Sequence, residues 1–483
     1  MGEYSNRICT CESNMETNVQ NEVKKVVITV GVFFDGTCNN KYNSTFNPHD
    51  RHSRGCYILR NGRKVRIGDD KDDSYEGDLT NIAKLWGTYL TSKEKRIGRV
   101  YIEGPGTEAP VEDKNNECRD AENLVSSNKS DDGLNGSGHG CGSTGIFYKL
   151  ERACKLIADK VSILSKGKEA KRGIVLYLDI FGFSRGAAEA RLFVNMMHVP
   201  ASKRTEHRDV DLYSHLNKAL DTKVKVRVRF MGLFDTVLSY DGESFLWPQF
   251  EAYEDGYDLK IYGEPQRVIH IVAADEYRKY FSLTTVKSAI DGLAGTEIIL
   301  PGAHSDIGGG YAEVVVEDMR DGNITLRANK KYRGFKYMGE LLEQGWAVTP
   351  PQLVIKGDGR VETHWDYNRY ILNYYSKIPL RVMSYFMRDE HILLKTEVTF
   401  RSCNINDAYK NLKQLEEGIM SNVRKKKRGL YIIKNNDFDF CGTETERLLI
   451  KSVRYNFMHL SAHIASWGVH NADKNNKRRI REG

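Results

Sequence analysis

Six short runs of β-branched and aromatic residues punctuate the first 300 positions of the chain: Val26 to Phe34, Arg99 to Glu103, Gly173 to Phe183, Val224 to Phe234, Val268 to Ala273 and Glu297 to Leu300. Their apolar character is nearly continuous rather than alternating, which is the pattern of strands buried on both faces of a parallel sheet. Between them lie segments with apolar residues at helical spacing, Leu79 to Leu90 and Ile146 to Leu164. A third helical segment opens after Phe183, where Ala187, Ala188 and Ala190 precede Leu192, Phe193, Met196 and Met197. Strand, helix, strand alternation predicts an α/β fold, a doubly wound and mostly parallel sheet with helices on both faces.

Two polar stretches interrupt this pattern. Residues 49–77 are charged and poor in aliphatics, and residues 112–142 are rich in Asn, Asp, Ser and Gly, so both read as surface insertions. Beyond about residue 315 the alternation fades. Helices are expected from Tyr332 to Trp346 and from Asp407 to Val423, and the stretch from Asn471 onward is polar and basic. The expected organisation is a polar segment over 1–23 and an α/β catalytic domain over 24–315. A smaller mixed and helical region over 316–483 packs on it.

Composition narrows the function classes. In a chain of 483 residues, 72 basic side chains nearly balance 65 acidic ones, giving a net charge of +7. The densest basic run, Arg424 to Arg428, has no interleaved aromatic and is followed by Gly429, so it reads as a solvated helix end or loop. Nucleic acid is therefore not an expected partner. Nine scattered cysteines contain no CxxC pair, which argues for free thiols. The first residues, MGEYSNRICTCESNMETNVQ, hold no apolar run. The expectation is a protein made in the cytoplasm without a secretory signal peptide.

The chemistry concentrates at Gly182-Phe183-Ser184-Arg185-Gly186, a G-x-S-x-G pattern. A serine lifted onto a sharp strand-to-helix turn sits in a strained backbone conformation, so the residues two before and two after it must be small. Gly182 and Gly186 meet that demand, IVLYLDIF before them reads as a buried strand, and GAAEARLF after them reads as a small-faced helix. Together these are the features of a nucleophile elbow on an α/β-hydrolase-like sheet. Its acid and base follow the serine in chain order, at the ends of later strands. Asp235 ends the strand VRVRFMGLF, and His304 follows EIIL in PGAHSDIGGGY, which nominates Ser184, Asp235 and His304 as nucleophile, acid and base.

Competing residues are read otherwise. His270 lies inside a strand pattern and reads as a core histidine, while His459 and His463 have i, i+4 spacing without an acidic companion. Asp275, beside Glu276 and Arg278, reads as part of an ion-pair cluster, and Asp306 is close in sequence to His304. For the oxyanion hole the backbone amides of Arg185, Asp35 and Gly36 are the candidates, the last two from the turn in FFDGTCNN. No cofactor and no metal are required by these residues.

With these segments placed, VGVFFDGTCNN, DIFGFSRGAAEAR, MGLFDTV, AADEYRKYF and PGAHSDIGGGY resemble the successive signature segments of the first family of type VI secretion lipase effectors. IPLRVMSYFM and NFMHLSAH are similar to later segments of that family. The resemblance implies a phospholipase that cleaves acyl esters of glycerophospholipids, with its triad on Ser184, Asp235 and His304. It also implies loading on a secretion spike protein, delivery into the periplasm of a rival bacterium, and an immunity protein in kin. The same triad could serve another ester or a thioester, and a non-catalytic member could use the fold to bind a partner.

Overall fold

A computed structural model of the chain describes residues 25–45, 57–60, 63–66, 73–112, 124–127, 129, 131–132, 135–165, 173–197, 210–238, 257–278, 280–318, 341–348, 352–355, 361–364, 368–425, 444–461, 478 and 480–483. The six apolar runs are strands: β1 (Val26–Phe34), β2 (Ile97–Ile102), β3 (Ile174–Phe183), β4 (Val224–Phe234), β5 (Arg267–Ala273) and β6 (Gly295–Leu300). They form one sheet in the order β6-β5-β4-β3-β1-β2, and every neighbouring pair is parallel. The order reverses between β1 and β3, and at such a switch point the loops diverge to opposite faces and leave a crevice at the carboxyl ends of the strands.

Side chains alternate between two apolar layers. Val26, Ile28, Val30, Val32 and Phe34 of β1, with Leu176, Leu178 and Ile180 of β3, face one layer. Phe33, Phe181, Phe183, Phe230, Ile269 and Ile271 face the other. The first layer is closed by helices α2 (Ile146–Leu164), α3 (Arg185–Met197) and α4 (Leu212–Ala219). Helix α2 buries Ile146, Leu150, Ala153, Cys154, Ile157 and Val161, a stripe at the i, i+3, i+4 spacing that keeps one helical face on the sheet.

The second layer is closed by α1 (Asn81–Thr88) and by segments from beyond residue 315, above all α7 (Lys377–Asp389), α8 (Lys410–Lys425) and α9 (Glu444–Phe457). Two short helices join them, α5 (Lys287–Asp291) in the first layer through Ala289 and Ile290 and α6 (His304–Gly308) in the second through Ile307. Sheet and later helices share one core in this layer: Ile378, Val382, Met383 and Phe386 of α7 pack in the same cluster as Phe181 and Phe230.

Of the two helices expected in this region, the second is α8, and most of the first, over 332–346, lies outside the described residues. In the basic run Arg424 to Arg428, α8 ends at Lys425, and the rest lies outside the described residues. No helix of the described residues is long and apolar enough to cross a membrane.

Candidate active site

Ser184 follows the last residue of β3 and takes φ +56°, the left-handed region that costs a non-glycine residue roughly 1–3 kcal/mol. Its neighbours make that turn possible. A Cβ on Gly182 would lie 2.4 Å from the Gly186 carbonyl oxygen, and one on Gly186 would lie 2.3 Å from the Asp35 carbonyl oxygen. Both glycines are thus required by close backbone approaches, between β3 and its own helix and between that helix and the end of β1. The serine is pinned on both sides: its amide donates to the Phe234 carbonyl (3.1 Å), and its carbonyl accepts from Val237 (3.3 Å). Helix α3 begins at Arg185 and points its N-terminus, the positive end of its dipole, at this turn.

Asp235 terminates β4 in the same way, also left-handed at φ +42°. Its amide donates to the Ile271 carbonyl (2.8 Å), which carries the chain across the end of the neighbouring strand β5. His304 opens α6 directly after β6 and is almost fully buried. Asp235 Oδ2 accepts from His304 Nδ1 at 2.6 Å. The imidazole is gripped by Phe183, the residue before the serine (ring centroids 4.6 Å), and by Phe281 (5.0 Å, edge to face). Strands β3 and β4 are in register with Phe183 opposite Phe234, so Ser184 and Asp235 stand side by side at the carboxyl ends of these two central strands.

The electrostatics of the pair are set by what surrounds it. Burial disfavours the Asp235 carboxylate, but the Arg478 guanidinium and then the His304 hydrogen bond outweigh it and hold the acid well below the usual carboxylate range. Arg478 makes a bidentate fork, with Nη1 donating to Oδ1 (2.6 Å) and Nη2 to Oδ2 (2.8 Å). The Ala273 amide adds a third donor at Oδ1 (2.9 Å). Burial pushes the His304 pKa down, and Asp235 only partly restores it. Beside the ring, Glu276 Oε2 accepts from the His304 amide (3.3 Å) while Arg278 forks onto the same carboxylate (2.9 and 2.8 Å).

The oxyanion candidates separate. Among the described residues the Arg185 amide, at the first helical position, donates to no carbonyl. The Asp35 amide donates to the Ile102 carbonyl (3.0 Å), and the Gly36 amide to the Asp35 carboxylate (2.8 Å). Both are engaged because the Asp35 side chain folds back over its own turn, where Thr80 (2.7 Å) and Tyr101 (2.6 Å) also donate to it. Burial raises the Asp35 pKa to about 6 against these hydrogen bonds. The Arg185 side chain, given no role from sequence, ties the two flanking loops together. Its Nε donates to Thr37 Oγ1 (2.6 Å), and its other nitrogens donate to the Gly136 and Ser137 carbonyls.

The competing residues are occupied in the scaffold. His270 Nε2 accepts from the Thr236 amide (3.0 Å), so its Nδ1 carries the proton toward Glu297 (2.9 Å), a satisfied core histidine. Asp275 forks onto Arg454 (2.9 and 3.0 Å) and accepts from the Gly302 amide (2.8 Å). Asp306 accepts from the Ala303 amide (2.9 Å) and from His459 Nδ1 (2.7 Å), and His463 lies outside the described residues. Sequence reasoning missed Arg478, which lies 243 positions from Asp235 in a stretch whose polarity gave no signal.

A parallel α/β sheet with a left-handed serine at the switch point, and a buried acid and histidine at the next strand ends, defines the α/β-hydrolase class of architecture. Comparison with known proteins carries this further. Residues 198–327 match the family described as "T6SS, Phospholipase effector Tle1-like, catalytic domain", a stretch that holds Asp235 and His304 and begins after Ser184. The chain shares its fold with the solved structure of the Tle1 effector bound to the VgrG spike of the type 6 secretion system, at TM-score 0.54 and 20% identity over 95% of this chain and 94% of that one. An uncharacterized protein from Pseudomonas aeruginosa aligns at TM-score 0.39 and 17% identity, over 86% of this chain and 53% of its own. No curated protein matches the chain. The resemblance to type VI secretion lipase effectors carried by the sequence motifs is met by an independent family match and by a shared fold.

Proposed function

We propose that this protein is a serine-dependent phospholipase that cleaves acyl esters of glycerophospholipids and is delivered by a type VI secretion system. The observation that carries the reading is the left-handed Ser184 at the elbow, beside the Asp235–His304 pair, in a chain with a match to a phospholipase effector family.

In this reading His304 Nε2 takes the proton from Ser184 Oγ as that oxygen attacks the ester carbonyl. Asp235 fixes the proton on His304 Nδ1, so that Nε2 is the basic nitrogen, and stabilises the imidazolium formed. The negative oxygen of the tetrahedral intermediate meets the Arg185 amide and the N-terminal end of α3, a donor of the kind whose loss costs about 3 kcal/mol of barrier. His304 then protonates the departing lysophospholipid oxygen. Water, deprotonated by the same nitrogen, releases the fatty acid and restores Ser184.

By the same family resemblance, a spike protein like the VgrG partner of the similar effector carries the enzyme, the periplasm of a rival bacterium is its site of action, and an immunity protein protects kin. The test is hydrolysis of phosphatidylethanolamine and phosphatidylglycerol vesicles by purified protein, followed as free fatty acid and lysophospholipid. Wild type is expected to release both products. The Ser184→Ala variant, folded by circular dichroism, is expected to lose on the order of 10⁴-fold or more in kcat/KM. Wild-type rates from Ser184→Ala would remove the serine from the mechanism.

A further inference from the structure

The acid of the triad is held from an unexpected quarter. The Arg478 side chain is largely buried, and both of its terminal nitrogens are spent on the two oxygens of Asp235. Its remaining nitrogen, Nε, donates to the Phe281 carbonyl (2.6 Å), on the residue whose ring abuts His304. One side chain therefore touches both the acid and the loop that walls the base.

The backbone beyond Arg478 is docked as firmly. Ile480–Arg481 pairs in parallel with Leu283–Thr284, with Leu283 opposite Ile480 and Thr284 opposite Arg481. The Thr285 amide donates to the Arg481 carbonyl (2.9 Å), and the Ser288 amide to the Gly483 carbonyl (2.8 Å). The Leu283–Thr284 strand is itself tied to the turn after Asp235, since the Thr284 amide donates to Thr236 (3.0 Å) and Val237 bridges to Leu283. Arg478 and residues 480–483 thus form a strap that ties Asp235 to the Phe281 loop and to the stretch from Leu283 to Ser288.

The strap changes the charge that His304 faces. Around the imidazole stand Asp235 from the end of β4 and Glu276 and Arg278 from the loop after β5, and Arg478 from the strap stands on Asp235. Each carboxylate is forked by a guanidinium, Asp235 by Arg478 and Glu276 by Arg278. Two matched ion pairs leave little net negative potential to favour an imidazolium between them. A fork also holds the carboxylate plane still, which keeps Oδ2 aimed at Nδ1.

We infer that Arg478 is a positioning residue for the triad acid, and that through it the strap sets the proton affinity of His304 and keeps the base neutral. The inference rests on the Ser184–Asp235–His304 reading. The sign follows from charge. Replacing Arg478 with a neutral side chain leaves Asp235 uncompensated, so the imidazolium is favoured and the pKa of His304 rises. The base must be neutral to act, so the acid limb of kcat/KM then moves to higher pH.

The experiment compares full-length wild type with Arg478→Gln and Arg478→Lys. The His304 imidazole is titrated by ¹⁵N NMR in the Ser184→Ala background, assigned by its loss in His304→Gln, and kcat/KM against pH is measured with Ser184 intact on phosphatidylglycerol vesicles. Arg478→Gln is expected to raise the His304 pKa and the acid limb together by about one unit. Arg478→Lys keeps the charge but not the fork, so its limb stays near that of wild type while kcat falls about tenfold.

A uniform loss of rate in Arg478→Gln, with imidazole titration and limb unmoved, would reduce Arg478 to a structural brace and overturn the inference. If Arg478→Gln does not fold, Arg478→Met takes its place as the neutral variant: a His304 pKa and acid limb raised together support the inference, and an unmoved limb overturns it. An imidazole shift in a protein that cleaves no phospholipid supports the strap and overturns the phospholipase reading instead.

Discussion

Two aspartate–histidine pairs lie within one loop of each other, and only one has the surroundings of a base. Asp235 and His304 meet at 2.6 Å, and Asp306 and His459 meet at 2.7 Å, both through Nδ1. Distance and burial do not separate them. What separates them is the third partner. The first pair stands at the carboxyl ends of β4 and β6, with the left-handed Ser184 at the adjacent end of β3. In the second, Asp306 caps its own helix through the Ala303 amide and accepts the His459 amide, while the His459 ring stacks on Tyr311 with its Nε2 buried and, among the described residues, unpartnered. A base needs an acceptor position that faces a nucleophile. The second pair spends its chemistry on joining the segment after residue 457 to the His304 loop.

Asp235→Asn should break this comparison most severely. The amide can present its NH₂ group to His304, which favours the wrong tautomer and lowers kcat by about 10⁴-fold. Equal losses from Asp235→Asn and Asp306→Asn, in variants with intact circular dichroism, would make the second pair part of the chemistry. A smaller effect belongs to Asp306→Asn. It removes a buried charge that accepts from three donors, so thermal unfolding should show about 2–3 kcal/mol of lost stability and kcat should fall less than tenfold.

His459→Gln should do less again, about 1–2 kcal/mol of stability with kcat within about threefold. Its acid limb should coincide with that of wild type, and a displaced limb would bring the second pair into the chemistry. The smallest effect is a position on the pH axis. Because burial depresses the His304 pKa, the imidazole is still neutral below the ordinary histidine value of 6.5, so the wild-type acid limb should lie below that pH. A limb above it would assign the titration to another group.

Much of the frame was legible because it is local. All six expected strands are present and form the whole of the main sheet, since continuous runs such as Val224–Phe234 can be buried only between two layers. The elbow was legible for a related reason: the two glycines that the turn needs lie within two residues of Ser184. The oxyanion side was less so. Asp35 and Gly36 stand where the sequence put them, but the Asp35 carboxylate, held by hydrogen bonds from Tyr101 and Thr80 on other elements, captures the Gly36 amide. Nothing adjacent to Asp35 in the chain announces those partners.

The region after residue 315 shows the limit most clearly. Among the described residues, three of its arginines are buried against carboxylates: Arg369 holds Glu317, Arg454 holds Asp275 and Arg478 holds Asp235. In sequence each is one polar residue among many, and arginine is ordinarily solvated. Burial makes each pairing matter, because a charge removed from water has to find an opposite charge.

The sequence by itself determined the strands, the elbow and the chain order of Ser184, Asp235 and His304, because hydrophobic period and backbone sterics act over a few residues. Only the tertiary structure decided which acid faces His304, which amide stays free beside Ser184, and that Arg478 grips Asp235. Those choices depend on contacts between positions as far as 243 residues apart, whose strength comes from the burial that folding creates.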